Sequence, residues 1–119
     1  MSERLEKALA FANYRQTLNN QLHKIKVRSV GALLINKHGG EFLINKELIS
    51  FLDYLVRAGF SEATILDDKE IPVHIPDTDN FLKEITTRYF EITNDYFVEF
   101  QSIKKSRNVK SILDIKDEE

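Results

Sequence analysis

The sequence predicts an α+β fold in which two long helices pack with a small antiparallel sheet and one short helix. In the final third of the chain, apolar residues recur at steps of three and four, the spacing of one buried stripe on an α-helix. Earlier in the chain, two pairs of short apolar runs are each joined by turn residues, which is typical of two β-hairpins. Helical patterns lie before the first hairpin and between the two, which favours the α+β class.

The C-terminal helix is predicted from Asp77 to about Arg107. No Gly or Pro follows Pro76, and the side chain of Asp77, Thr78 or Asp79 can accept a hydrogen bond from a free backbone N–H as the N-cap. Roughly 28 residues rising ~1.5 Å each give a rod of about 40 Å. A rod of this length extends beyond any core that so small a chain can build, so something else must cover it.

The apolar stripe of this helix is predicted to be an interface with a second copy of the chain. The stripe is rich in aromatic side chains, which would form an unusually large exposed patch on a monomer. A dimer is the simplest closed assembly that covers such a stripe. The predicted interface residues are Phe81, Ile85, Tyr89, Phe90, Ile92, Tyr96, Phe97, Phe100 and Ile103.

Two further helical patterns occur earlier in the chain. The first helix is predicted over residues 2–24, with Ser2 as its N-cap. From His23 to Arg28 apolar and basic residues alternate, which predicts that the chain leaves the helix for an extended segment. The short helix is predicted over residues 46–58, with Asn45 as its cap.

The two hairpins are expected to join into one antiparallel sheet of about four strands. The first spans residues 30–44, and Gly39 and Gly40 supply the positive φ that its tight turn requires. The second spans residues 63–75. Pro72 lacks a backbone N–H, which places its strand at an edge or at a bulge.

Size and composition are those of one small globular domain, predicted over residues 1–110 and followed by an acidic, disordered tail over residues 111–119. The formal net charge of −2 does not draw the chain as a whole to a polyanion or an anionic membrane. The absence of Cys excludes disulfides, thiolate metal sites and Cys nucleophiles, and it suits a reducing cytoplasm. No apolar run approaches the ~20 residues of a membrane span, so no membrane partner is expected.

No spacing in the sequence is typical of a catalytic, metal or cofactor site. His23, His38 and His74 are far apart and lack the spacing of a histidine metal motif. The acids on either side of His74, such as Asp67 and Asp77, are accounted for by turn formation and helix capping. A metal or catalytic role for His74 is the weaker alternative, and we expect no enzyme activity, no metal and no cofactor.

Two basic clusters provide an alternative function. Both follow the predicted ends of helices, where cations offset the helix dipole. If the clusters met on one surface, they could contact the phosphates of a nucleic acid, and binding would then depend steeply on salt. The alternative is therefore a small nucleic-acid-binding regulator. Its contact residues would be Lys24, Lys26, Arg28, Lys104, Lys105, Arg107 and Lys110.

An acidic row on the C-terminal helix requires a partner. Glu91, Asp95 and Glu99 recur at four-residue steps, a spacing at which like charges repel along a helix. The expected partners are cations of the first helix, either in the same chain or in a second copy. The candidates are Arg4, Lys7 and Arg15.

Several short segments carry a resemblance to known proteins. They are Phe11-Ala12-Asn13-Tyr14-Arg15, Glu47-Leu48-Ile49-Ser50-Phe51, Arg88-Tyr89-Phe90 with Thr93-Asn94-Asp95-Tyr96, and Arg107-Asn108-Val109. Over about residues 8–110 the chain resembles a group of small uncharacterised proteins of T4-like marine phages, chiefly cyanophages. That family brings no established activity, cofactor or site residues.

The resemblance implies a setting, which is a phage protein made in the cytoplasm of an infected bacterium, with the virion as an alternative location. Together with the apolar stripe, this setting predicts a non-catalytic, self-associating structural, assembly or accessory protein. Its expected partners are a second copy of itself and, as an alternative, another phage protein.

Overall fold

A computed structural model describes the backbone of residues 2–117 and the side chains of residues 2–105. Its helices and strands confirm the predicted α+β class. In chain order they are α1 (Glu3–Ala32), β1 (Leu34–Lys37), β2 (Gly40–Leu43), α2 (Lys46–Arg57), β3 (Ala63–Leu66), β4 (Pro72–Ile75) and α3 (Thr78–Asp117).

Backbone contacts divide the chain into two compact units. The helical unit consists of Met1–Arg28 and Asp95–Glu119, and the mixed unit consists of Ser29–Asn94. Because both long helices contribute to each unit, this division does not test the predicted single domain over residues 1–110.

Helix α1 is longer than its sequence predicts. The segment from His23 to Arg28, expected to be extended, is helical. In a strand Ile25 and Val27 would share a face, yet Ile25 is 8% exposed and Val27 is 57% exposed. Ile25 instead follows Leu22 and Leu18, both partly buried, at helical spacing. The packing of this row therefore outweighs the strand propensity of the β-branched residues.

The first hairpin forms as predicted, with a different use of its glycines. Strands β1 and β2 pair in antiparallel register, and the turn residues His38 and Gly39 take φ values of 53° and 82°. Gly40 does not have a positive φ, contrary to the prediction. Glycine is required at position 40 because there is no room for a side chain. A Cβ atom there would lie 2.5 Å from Cγ2 of Val73. A larger residue at position 40 would force the backbone and Val73 apart.

The second hairpin is also present, but the predicted four-stranded sheet is wrong. In the described chain, β3 pairs only with β4, and β1 only with β2, so each hairpin is a separate two-stranded sheet. The turn between β3 and β4 meets β2 through hydrogen bonds instead of a strand ladder. The backbone N–H of Glu41 donates to Oδ2 of Asp67, and the backbone N–H of Asp68 donates to the carbonyl of Glu41.

The core of the mixed unit lies among the two hairpins, α2 and the first turns of α3. Asn45 caps α2 as predicted, since its Oδ1 accepts from the backbone N–H of Leu48 at 2.8 Å. The rings of Phe42 and Phe81 meet edge to face with their centroids 5.5 Å apart. The buried core residues are Phe42, Ile44, Leu52, Leu55, Ile65, Val73, Ile75, Phe81 and Ile85.

Helix α3 begins at one of the three predicted caps. Oδ1 of Asp77 accepts from the backbone N–H of Asn80 at 3.0 Å, while Thr78 is buried and donates from its hydroxyl to the carbonyl of Phe60. The helix is bounded at Asp117, beyond the end near Arg107 that the apolar stripe predicts. The predicted acidic tail over residues 111–119 lies outside the residues whose side chains are described, and it stays a prediction.

Candidate interaction surfaces

The predicted interface begins with two residues that are not available to a partner. Phe81 is 1% exposed and Ile85 is completely buried, and both pack in the core of the mixed unit. Their inclusion in an interface between copies was therefore wrong. The apolar period of a helix shows which side is buried, but it does not distinguish burial within the chain from burial against a second chain.

The rest of the predicted interface falls into two groups. Phe90 and Phe97 are 57% and 62% exposed, so the chain itself leaves more than half of each residue open to solvent. The other members are partly buried. They are Tyr89, Ile92, Tyr96, Phe100 and Ile103.

In the helical unit, an ion pair joins the two helical segments. Nη2 of Arg28 in α1 contacts Oε2 of Glu99 in α3. Arg28 ends the α1 segment of this unit, and Glu99 lies near the start of its α3 segment. The ion pair therefore links the end of one segment to the start of the other. Partly buried residues such as Leu18 in α1 and Tyr96 in α3 mark the side on which each helix is covered.

This ion pair changes the interpretation of two predictions. The expected cations for the acidic row were Arg4, Lys7 and Arg15, yet Arg28 pairs with Glu99. Arg28 was also predicted to contact nucleic-acid phosphates, but its guanidinium is already matched by a carboxylate. The sequence contains no local signal for this pair, because its members lie 71 residues apart.

The other predicted nucleic-acid contacts are exposed where their side chains are described. Lys24 and Lys26 are exposed on α1, and neither has a carboxylate partner among the described residues. Lys104 and Lys105 are exposed on α3, and the Lys104 ammonium lies 5.3 Å from the centroid of the Phe100 ring. The remaining two, Arg107 and Lys110, lie outside the residues whose side chains are described.

The helical unit also exposes apolar side chains that the predicted interface does not include. In α3, Val98 is 65% exposed beside Phe97. In α1, Leu5, Leu9 and Phe11 are also exposed. A second apolar face on α1 is the sequence signal that points to these residues. When two helices pack together, each buries only the stripe that faces the other, and the remaining faces stay exposed to solvent.

The histidines and the grooves of the mixed unit show no assembled reaction site. Nε2 of His74 lies 3.6 Å from a carboxylate oxygen of Glu62, and both side chains are more than half exposed. Among the described residues, no cluster of His and acidic side chains is arranged to hold a metal ion. An open groove of about 510 Å³ lies between α2 and α3, but its acids Asp53 and Asp79 each form an ion pair one helical turn away.

None of the described helices has a stretch apolar and long enough to cross a membrane. Comparisons of the chain with protein-family models, with curated proteins and with solved structures find no match.

Proposed function

We propose that this protein is a non-catalytic, self-associating assembly or accessory protein whose helical unit provides the interface between copies. The observation that carries the proposal is the exposure of Phe97 and Val98 on α3, which are 62% and 65% exposed and adjacent in sequence. Phe90, which belongs to the mixed unit, is exposed as well. Soluble monomers rarely leave aromatic side chains exposed in groups.

The composition of the helical unit supports the same proposal. Its two helical segments share one partly buried stripe, which leaves Phe97, Leu5 and Leu9 without cover. Helix pairs commonly complete their packing as bundles of four helices, in which a second pair covers the open faces. A second copy of the chain supplies such a pair, and a twofold arrangement closes the assembly.

The resemblance to small proteins of T4-like marine phages supports an accessory role in an infected bacterial cytoplasm, with the virion as the alternative site. A cytoplasmic setting is also in keeping with a chain that has no Cys. Another phage protein is the alternative occupant of the same open faces.

Light scattering after size exclusion tests the self-association. We expect a molar mass near twice the 13.9 kDa of one chain. The variant Phe97→Gln/Val98→Gln should weaken self-association about tenfold or more, because burying a large apolar side chain contributes about 1.5–3 kcal/mol when complete. Gln is a good helix former, so α3 is preserved.

A matched control distinguishes this interface from general surface apolarity. Tyr54 on α2 is 63% exposed in the mixed unit, so Tyr54→Gln removes a comparable aromatic surface elsewhere. Its molar mass should equal that of the unaltered chain. A single-chain mass for the unaltered protein at high concentration, or equal effects of the two variants, would contradict the proposal.

A further inference from the structure

The exposed side of α1 carries no acidic residue over residues 15–26. No acidic residue occurs between Glu6 and Glu41 in the sequence. Over residues 15–26, the exposed side of α1 carries cations, amides, an imidazole and one hydroxyl. These exposed residues are Arg15, Gln16, Thr17, Asn19, Asn20, His23, Lys24 and Lys26.

Helix geometry places these side chains together. Arg15, Asn19, His23 and Lys26 follow one another at steps of four, four and three, so they form one row along about three turns of helix. The covered residues Leu18, Leu22 and Ile25 belong to a different row.

A helix face exposed only to solvent usually mixes acids and bases, because pairs of opposite charge four residues apart stabilise the helix. This face has no such pairs. Lys24, Lys26 and Arg15 have no carboxylate partner among the described residues, although the whole chain is slightly acidic. The guanidinium of Arg15 lies over the Phe11 ring, with its carbon 5.9 Å from the centroid, and its N–H groups are not used by an acid.

We propose that this face of α1 binds duplex DNA through the major groove. Cations contact phosphates and guanine edges, and the amides of Asn and Gln suit adenine edges, so the face has the side chains that such recognition uses. The groove is about 12 Å wide and admits one α-helix, which is about 10–12 Å in diameter.

The same observations exclude other polyanions as the best fit. The major groove of duplex RNA is too deep and narrow for side chains on a helix to read. Recognition of single strands depends on a series of exposed aromatic rings, and here Phe11, one turn before Arg15, is followed by none in the row from Arg15 to Lys26. A membrane surface requires large apolar residues on one side of the helix, and this row lacks them.

Fluorescence anisotropy with a labelled 20-base-pair duplex DNA tests the proposal. At 50 mM salt we expect binding in the micromolar range, weakening steeply as salt is raised. Arg15→Gln/Lys26→Gln should weaken binding about tenfold or more and reduce the slope of log affinity against log salt by about 1.8, since each phosphate contact contributes about 0.9.

Two further variants make the test specific. Lys46→Gln/Arg88→Gln removes the same two positive charges from the mixed unit, and the affinity and the salt slope should stay unchanged. Asn19→Ala/Asn20→Ala should leave the salt slope unchanged and reduce the difference in affinity between duplexes of different sequence. Equal losses in the two charge variants would overturn the proposal, because binding would then follow net charge alone.

The anisotropy measurement is repeated with duplex RNA of the same length and with one strand of the DNA. Absence of binding to duplex DNA at 50 mM salt, or tighter binding to duplex RNA or to one strand of the DNA, would overturn the proposal. Molar mass is measured for every variant in parallel. Arg15→Gln/Lys26→Gln should retain the mass of the unaltered chain, whereas a fall to a single-chain mass would show that this face contacts a second copy instead.

Discussion

Asp67 illustrates how one carboxylate replaces a strand ladder. Its Oδ1 accepts from the backbone N–H groups of Lys69 and Ile71, both at 2.9 Å, and its Oδ2 accepts from that of Glu41 at 3.1 Å. The hydrogen bond from Ile71 is the main cause of a lowered pKa at Asp67, and burial opposes it only in part. The ionised side chain thus holds its own turn closed and ties it to the neighbouring hairpin.

This arrangement predicts a specific loss of stability in acid. The pKa of Asp67 in the folded protein is below its unfolded value of about 3.9, so ionised Asp67 stabilises the fold above about pH 4. That contribution is lost as the pH falls through the folded pKa. Asp67→Asn should lower the melting temperature at pH 7, because an amide presents a donor where the carboxylate accepts.

Thermal melts of Asp67→Asn and the unaltered chain from pH 7 to pH 2 check this prediction. The difference in melting temperature should shrink toward low pH. The neighbouring Asp68 is exposed, and only its backbone N–H is seen to bond, so Asp68→Asn serves as the control. A difference for Asp67→Asn that stays constant with pH would mean that the charge of this carboxylate does not matter.

The end of α1 shows how side-chain packing decides between a helical and an extended conformation. The alternation of Ile25 and Val27 with basic residues is a strand pattern, but the buried row along α1 includes Ile25 and not Val27. Residues two apart, such as Ile25 and Val27, lie on the same face of a strand but on different sides of a helix. The two residues should therefore respond differently to truncation.

Ile25→Ala should lower the free energy of unfolding by about 2–4 kcal/mol, because it removes buried methyl groups and leaves a cavity. Val27→Ala should change it by less than about 0.5 kcal/mol, since Val27 is exposed and Ala favours the helix. Urea unfolding of both variants, followed by circular dichroism, gives the comparison. Similar losses in the two would support the extended segment that the sequence alone predicts.

The elements that the sequence predicts well are those set by local chemistry. Asn45 identifies the start of α2, and the reversal at Gly39 identifies the first hairpin, because caps and turns depend on neighbouring residues. Features that depend on distant residues were not predictable in the same way. The burial of Phe81 and the pairing of Arg28 with Glu99 are set by tertiary packing, which one helical period does not reveal.

For the candidate surfaces, the sequence predicts Phe97 as an interface residue, but it does not predict which part of the stripe the chain covers by itself. In the sequence, the predicted nucleic-acid contacts of α1 include only Lys24, Lys26 and Arg28, whereas Arg15 is a predicted partner for the acidic row. In the structure α1 is continuous to Ala32, so helical spacing places Arg15, Asn19 and Lys26 on one face. The positively charged surface of α1 therefore extends back to Arg15. The proposed DNA-binding surface is therefore one helix face, whereas the sequence predicts two clusters.

The mixed unit and the helical unit differ in how each is stabilised. The mixed unit has a buried core of nine apolar residues, including Leu52 and Ile75. In the described part of the helical unit, Ile25 is the one apolar residue that is fully buried, while Leu5, Leu9 and Phe97 are exposed. Hydrophobic burial is the dominant favourable contribution to folding, so covering Phe97, Leu5 and Leu9 with a partner would add to the small buried core of the helical unit.

Self-association through the helical unit therefore predicts that stability depends on protein concentration. A partner that binds only the folded chain stabilises it by mass action, so the melting temperature should rise by several degrees over a hundredfold increase in concentration. In Phe97→Gln/Val98→Gln the rise should be largely lost, while Tyr54→Gln should retain it. Calorimetric scans at matched concentrations measure the effect, and a melting temperature of the unaltered chain that is independent of concentration would contradict an interface between copies. The mixed unit has its own core, so the weakened variant should still show a cooperative transition.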